Sequence, residues 1–358
     1  MPDHQTHRAN ATSQARHQPG RAPNGACVRI VRRRQPEEAD IRRAQLVFEP
    51  ATQQFVDKIA GEPAIQTLAP AEARAFLARI QSTPVGKPSA KIEDMTLPVG
   101  PTGSIKIRMV RPSRDSSAAL PVIIHFHGGG WVAGGRTTHD RLMREIAVGA
   151  GAALVFVLYD LSPEARYPVA IEQAYATVKY VVDHAQALNV DATRLAVLGD
   201  SVGGNIAAAV TLMAKERRGP KIDLQVLFYP VTAARFDTRS YGLFADGPWL
   251  TRSSMEWFWS AYLPDVARRA EITATPLSAT IDQLRDLPDA LVIVAEHDVL
   301  RDEGECYARK LSDAGVRATS VRCNGTIHDF VMLNALADTP ATRGALALAI
   351  SSLRSALE

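Results

Sequence analysis

The sequence predicts an α/β fold, a mostly parallel central sheet flanked by helices. From Ile105 onward, strand-like apolar runs alternate with helical stretches. The runs after Val122 are largely continuous in Val, Ile, Leu and Phe, the pattern of strands buried on both faces. With 358 residues, 46% apolar and 22% charged, the chain can fill a core large enough for one such unit.

The strands are expected at Ile105–Arg111, Val122–Phe126, Ala152–Tyr159, Leu195–Leu198, Leu224–Tyr229, Leu291–Ala295 and Ala318–Arg322. Helices are expected at Val169–Ala187, Gly203–Arg217, Gly304–Ala314 and Arg343–Leu357, covering both sides of one sheet. Two segments fall outside this alternation. Residues 41–85 read as two helices, Ile41–Ala60 and Pro70–Gln81, ahead of the sheet. Residues 232–275 form a long excursion holding Trp249, Trp257 and Trp259, three of the four tryptophans. An excursion of that length inside a compact domain is usually functional or separately structured. The two segments are expected to pack together as a cap over the C-terminal edge of the sheet; the alternative is that the tryptophans anchor the excursion to the body. The division is then a tail (1–40), N-terminal cap helices (41–90) and a catalytic domain (91–358) with a cap insertion at about 232–275.

The net charge of +3 hides an asymmetry, because residues 1–34 hold seven Arg and one acid and the rest of the chain carries −3. This Arg/Gln/Pro-rich tail is expected to be disordered, since it has too little apolar surface to order itself. Arg32-Arg33-Arg34 is a candidate contact for nucleic acid or anionic lipid, but a solvated tail is favoured and no nucleic-acid partner is expected. The tail lacks the apolar region of a secretory signal. Apolar runs such as Ala152–Tyr159 fall far short of the ~20 residues of a membrane-spanning helix. Three scattered cysteines (Cys27, Cys306, Cys323) argue against a disulfide framework and fit a cytoplasmic location. His125 and His127 share a strand face without further ligands nearby in sequence, so no metal is expected.

The sharpest chemical signal is Gly199-Asp200-Ser201-Val202-Gly203-Gly204-Asn205, between the strand Leu195–Leu198 and the helix beginning near Gly203. A serine on such a strand–turn–helix corner matches a nucleophile elbow. The glycines two before and two after remove Cβ atoms that the tight turn would crowd. Upstream, His127-Gly128-Gly129-Gly130-Trp131 ends the strand Val122–Phe126. The amides of Gly128 and Gly129, with that of Val202, are candidates for an oxyanion hole. A phosphate-binding loop is disfavoured, because neither Lys-Ser/Thr nor the G-x-G-x-x-G spacing follows.

A serine nucleophile needs a base, and the base needs an orienting group. With an elbow of this kind the chain order is Ser, acid, His. Asp298 follows the buried strand Leu291–Ala295 and is the favoured acid over its rivals Glu296, Asp302 and Glu303. The last two lead into a helix. His328 lies after the next strand and before the last helix, and it is the histidine left once the tail, the strand, the glycine motif, the residues before the serine and His297, which abuts the acid, are set aside. Trp131 is expected to line the site, with a core role as the alternative.

Together these motifs resemble the hormone-sensitive-lipase-like family of α/β hydrolases, the bacterial family IV esterases. His127–Trp131 matches HGGGW, and Gly199–Asn205 matches GDSAGGN with Val202 for Ala. Tyr159-Asp-Leu-Ser-Pro-Glu164 with Tyr167-Pro168 and Ala170 resembles YRLAPE…FPAA, and Asp298–Glu303 resembles DPLRDE with Val299 for Pro. The likeness runs from about Pro70 to the C-terminus. It implies an α/β-hydrolase fold with a helical cap and cofactor-independent hydrolysis of short- to medium-chain acyl esters. It also implies Ser201 as nucleophile, Asp298 as acid and His328 as base, with Gly128, Gly129 and Val202 as oxyanion donors. Val202 is expected to narrow the acyl site. Asp329 stands where the family commonly has Gly, and its charge is expected to raise the pKa of His328. An amidase would use the same machinery, and a non-catalytic ligand-binding member is the reading from a different class. The expected partner is a small-molecule ester, and an exposed sheet edge or terminal helix is a candidate for pairing two copies into a homodimer.

Overall fold

The computed structural model describes residues 46–113 and 118–358. The expected basic tail and Cys27 lie outside the described residues. One eight-stranded sheet runs in the order β1-β2-β4-β3-β5-β6-β7-β8. Its strands are β1 (Ala90–Leu97), β2 (Ile105–Pro112), β3 (Leu120–Phe126), β4 (Ala153–Leu158), β5 (Val190–Asp200), β6 (Leu224–Phe228), β7 (Asp289–His297) and β8 (Ala318–Ile327). The pairs β1/β2 and β2/β4 are antiparallel, and every other pair is parallel.

The continuous apolar runs behave as two-sided burial requires. Along β3, Val122, Ile124 and Phe126 face one core layer while Ile123 faces the other. Helices α4 (Val169–Asp183), α5 (Val202–Glu216) and α9 (Arg301–Asp313) cover the first face. Helices α3 (Asp140–Ala150) and α10 (Pro340–Leu357) cover the second. Every expected strand and sheet-flanking helix is present with shifted ends. Two elements go beyond the expectation. Strand β1 is a half-exposed edge strand carrying Lys91, Glu93 and Asp94, so it has no apolar run to betray it; charges of this kind protect an edge. Helix α3 buries one face while exposing or half-exposing Asp140, Arg144 and Glu145.

The helix expected over Ile41–Ala60 is shorter. Helix α1 covers Pro50–Ile59 with Pro50 in its first turn, and Glu49 is extended at φ −57°, ψ 145°. Proline crowds the residue before it out of the helical region, so the helix starts there. Helix α2 spans Pro70–Ile80. Within the excursion lie α6 (Arg239–Leu243) and α7 (Arg252–Tyr262), and α8 (Ile281–Leu284) follows. Trp249 meets the N-terminal segment, edge-on to Phe55 at 5.5 Å and stacked on Phe76 at 6.2 Å. Trp259 instead packs into the body, 4.9 Å from Trp131. The tryptophan contacts are thus divided between the N-terminal segment and the body. No helix among the described residues is long and apolar enough to cross a membrane.

Candidate active site

Ser201 sits between β5 and α5 at φ 56°, ψ −120°. A non-glycine residue is seldom held there unless its surroundings over-determine it. The Ser201 amide donates to the Phe228 carbonyl at 2.9 Å, and the Val231 amide donates to the Ser201 carbonyl at 3.1 Å. A Cβ on Gly199 would collide with the Gly203 carbonyl, and one on Gly203 with the Phe126 carbonyl. The two glycines therefore let the turn close onto β3. Asn205, one turn along α5, donates through its side-chain amide to the carbonyls of Val231 and Ala274 at 3.0 and 2.9 Å. It thereby ties down both ends of the excursion.

The residues singled out from the sequence converge. Ser201 follows β5, Asp298 follows β7 and His328 follows β8 directly, so all three stand at the carboxyl ends of parallel strands, where ligands bind in open α/β sheets. His328 Nε2 lies 2.9 Å from Ser201 Oγ, and His328 Nδ1 lies 2.7 Å from Asp298 Oδ2. A carboxylate only accepts, so the proton sits on Nδ1 and a neutral ring turns its Nε2 lone pair to the hydroxyl. Asp298 Oδ1 accepts the Leu300 amide at 2.9 Å, which fixes the carboxylate plane. All three side chains are buried.

The rival carboxylates are engaged elsewhere. Glu296 accepts the Gly325 amide at 2.7 Å. Asp302 accepts the Ser240 amide at 2.8 Å. Glu303, fully buried, accepts the amides of Thr232 and Ala233 at 2.7 and 3.1 Å. Asp302 and Glu303 thus hold the excursion against the first turn of α9.

Three expectations about the pocket change. The Gly128 amide donates to Asp200 Oδ2 at 3.1 Å and Gly128 is absent from the cavity wall, whereas Gly129 and Gly130 line it. Trp131 is fully buried and stacks on Tyr262 at 4.0 Å with an interplanar angle of 6°. It belongs to the core rather than to the site, packed between Tyr262 and Trp259, the latter 4.9 Å away. The Val202 side chain is also fully buried in the core, so it does not narrow the cavity.

Two further groups of residues lie near the site; the sequence analysis missed the first and singled out only Asp329 of the second. Next to Ser201 in the chain, the fully buried Asp200 meets His125 Nε2 at 3.3 Å and His139 Nε2 at 3.1 Å. Burial alone would raise its carboxyl, but the charges and hydrogen bonds of His139 and His125 outweigh burial and hold it far below the usual carboxylate range. Burial, with His139 nearby, pushes His127 down to about 3. A carboxylate beside the elbow serine was the one legible hint of this cluster; His139 precedes α3 and is distant in sequence.

The second group concerns Asp329, at φ 64°, a left-handed geometry that favours Gly and tolerates Asp. Its Oδ2 accepts the Trp249 indole N–H at 2.9 Å, and its Oδ1 lies 3.4 Å from His328 Nε2. Burial disfavours a charged His328, yet the carboxylates of Asp298 and Asp329 prevail and push its pKa up to about 9, as the sequence led one to expect. Burial likewise raises Asp329, with His328 and the Trp249 hydrogen bond opposing.

Over these groups lies a cavity of about 340 Å³ walled by α1, α2 and the excursion, with Val56, Phe76, Trp249, Met255 and Phe258 against Ser201 and His328. Such a volume and apolar lining suit a small organic ligand.

The chain is similar to known proteins in both sequence and structure. A family model for the alpha/beta hydrolase fold matches residues 123–332. The carboxylesterase NlhH of Mycobacterium tuberculosis is 37% identical over 289 residues, covering 80% of this chain and 89% of its own length. The ethyl acetate hydrolase of Pseudomonas putida is 35% identical over 247 residues, covering 68% and 77%. The crystal structure of a thermostable esterase from Pseudomonas putida ECU1011 superposes with a TM-score of 0.85 at 46% identity, covering 88% of this chain and 99% of that one. The chain belongs to the α/β-hydrolase family, in its hormone-sensitive-lipase-like branch, and is a serine ester hydrolase.

Proposed function

We propose that this chain cleaves small carboxylic esters of short- to medium-chain acids through an acyl-enzyme formed on Ser201. The observation that carries this reading is the buried hydrogen-bonded line from Asp298 through His328 to Ser201, with spacings of 2.7 and 2.9 Å. His328 Nε2 takes the Ser201 proton as Oγ attacks the carbonyl carbon, and Asp298 holds the ring and stabilises the imidazolium. The oxyanion is received by the amides of Gly129, Gly130 and Val202, the last opening α5, whose dipole favours negative charge. No other group among the described residues accepts the Gly129 or Gly130 amide, which supports this choice. The imidazolium then protonates the departing alkoxide, and water releases the acid by the same path. Helices α1 and α2 with the excursion form the cap, and the apolar walls they contribute favour acyl chains of modest length.

A fluorophosphonate probe is expected to label the wild-type protein and to leave Ser201→Ala unlabelled. Rates on p-nitrophenyl esters are expected to peak between acetate and octanoate and to fall for palmitate. Failure of the intact wild-type protein to label would end this reading.

The elevated pKa of His328 has a defined consequence. Only the neutral ring is a base, so kcat/KM is expected to rise about tenfold per pH unit below about 9 and to level off above it. Asp329→Gly is expected to move that limb to lower pH. Stability should run the other way. A pKa raised above the ordinary 6.5 favours the folded chain fully below pH 6.5, and that contribution is lost as pH rises through about 9. A pH–rate profile on one ester, with melting temperatures over the same range, checks both.

A further inference from the structure

Resting on the ester-hydrolase reading, we propose that Trp249 is a positioning residue for the base: its indole N–H holds the Asp329 carboxylate against His328, so the excursion controls the second negative charge that faces the imidazole. The indole donates to Asp329 Oδ2 at 2.9 Å, while Oδ1 lies 3.4 Å from His328 Nε2. Among the described residues no other hydrogen bond reaches this carboxylate. The Asp329 backbone is fixed separately, its carbonyl accepting the amides of Met332 and Leu333 at 2.8 Å each. The direction of the side chain is left to Trp249.

The two carboxylates beside the imidazole are therefore held from different parts of the chain. Asp298 is oriented by the Leu300 amide, two residues on, and by His328 Nδ1 itself. Asp329 is oriented from the excursion by an indole whose ring is set by Phe55 of α1, edge-on at 5.5 Å, and Phe76 of α2, stacked at 6.2 Å. Both partners of the bond stand at left-handed backbone angles, Trp249 at φ 66° and Asp329 at φ 64°. A bulky residue persists there only where its surroundings over-determine it, and such positions gather at functional sites.

Charge gives the bond its consequence. Burial disfavours a charged Asp329, and the His328 charge and the Trp249 hydrogen bond oppose burial. The other titratable groups around the pair are Asp298 after β7, Asp200 at the end of β5, His139 before α3 and Tyr229 after β6, with Arg141 of α3 behind the tyrosine. Glu62 and Asp246 stand in the wall of the same cavity. None of these hydrogen-bonds to Trp249. Without the indole N–H, burial is less opposed and Asp329 takes a proton more readily. The charge beside Nε2 then falls away, and His328 gives up its own proton at lower pH.

The test follows the pH limb of kcat/KM on p-nitrophenyl butanoate for the full chain, Trp249→Phe, Asp329→Asn and the double variant, with a melting curve verifying each fold. Phenylalanine keeps a ring for Phe55 and Phe76 but has no N–H, and asparagine keeps an acceptor for the indole without the charge. Trp249→Phe is expected to move the limb to lower pH by about 0.5 to 1 pH unit, Asp329→Asn by at least as much, and the double variant no further than Asp329→Asn alone. A mere change of cavity shape would alter KM and leave the limb in place. A limb unmoved or raised in Trp249→Phe, or a further fall of the same size in the double variant, would overturn the assignment. A second measurement needs no change in the cap: in wild type carrying isotopically labelled tryptophan, one indole resonance is expected to titrate with the midpoint of the limb, and the lack of one would also overturn the assignment. Turnover by wild type would leave the ester-hydrolase reading standing in either case, whereas a wild-type protein without turnover would overturn both.

Discussion

Ser201→Ala is expected to lower kcat by about 10⁴- to 10⁶-fold, His328→Ala by a similar factor, and the double variant by no more than either alone. The physical basis is that the two side chains perform one act. The hydroxyl is a weak nucleophile without the ring, and the ring has no proton to accept without the hydroxyl, which lies 2.9 Å from it. Asp298→Asn is expected to cost less in rate, because it disturbs the tautomer and orientation of His328 without removing the base. Residual activity should remain in every variant, since an oxyanion pocket and substrate binding persist. Single-turnover kinetics on one p-nitrophenyl ester would measure these factors; additive losses, with the double variant slower than either single one by a further large factor, would contradict the coupling.

Asp200→Ala is expected to be the most damaging change outside the triad. The carboxylate is completely buried and serves three donors, His125, His139 and the Gly128 amide. Its removal leaves two buried imidazoles and a buried amide without their acceptor. Breaking a buried charged network of this kind costs about 3–5 kcal/mol, which for a chain of this size corresponds to a fall in Tm of on the order of 5–15 °C. Activity should fall as well, by about 10²-fold or more. The Gly128 amide is the anchor from which Gly129 and Gly130 extend into the cavity, and losing the anchor loosens the proposed oxyanion donors. Scanning calorimetry beside kcat on the folded fraction separates the two effects. A variant with unchanged Tm would show that the histidines find other partners.

Much of this was legible in the chain because the signals are local. Continuous apolar runs marked strands buried on both faces, and the glycines around Ser201 marked a tight turn, Gly199 being crowded by the Gly203 carbonyl of that turn and Gly203 by the Phe126 carbonyl of β3. Ser201, Asp298 and His328 could be chosen because each follows a strand of one parallel sheet, and strand ends in such a sheet lie along one edge. Strand β1 was illegible because an exposed edge carries charge in place of an apolar run. Trp131 was misplaced because no pattern in sequence reports which way a left-handed residue turns its side chain. Gly128 was taken for a donor because three consecutive glycines look alike until one amide is seen to have a partner.

The sequence by itself determined the fold class, the choice of Ser201, Asp298 and His328 as candidate nucleophile, acid and base, and the presence of an extra carboxylate beside His328. Those follow from periodicity, turn chemistry and position along the chain, which act over a few residues. Only the tertiary structure decided which glycines of the loop line the cavity, that Asp200 gathers two distant histidines, and that Trp249 of the excursion clamps Asp329. Each of these depends on which polar groups are brought together after burial, and the cost of leaving any of them unpaired is settled between residues tens to hundreds of positions apart.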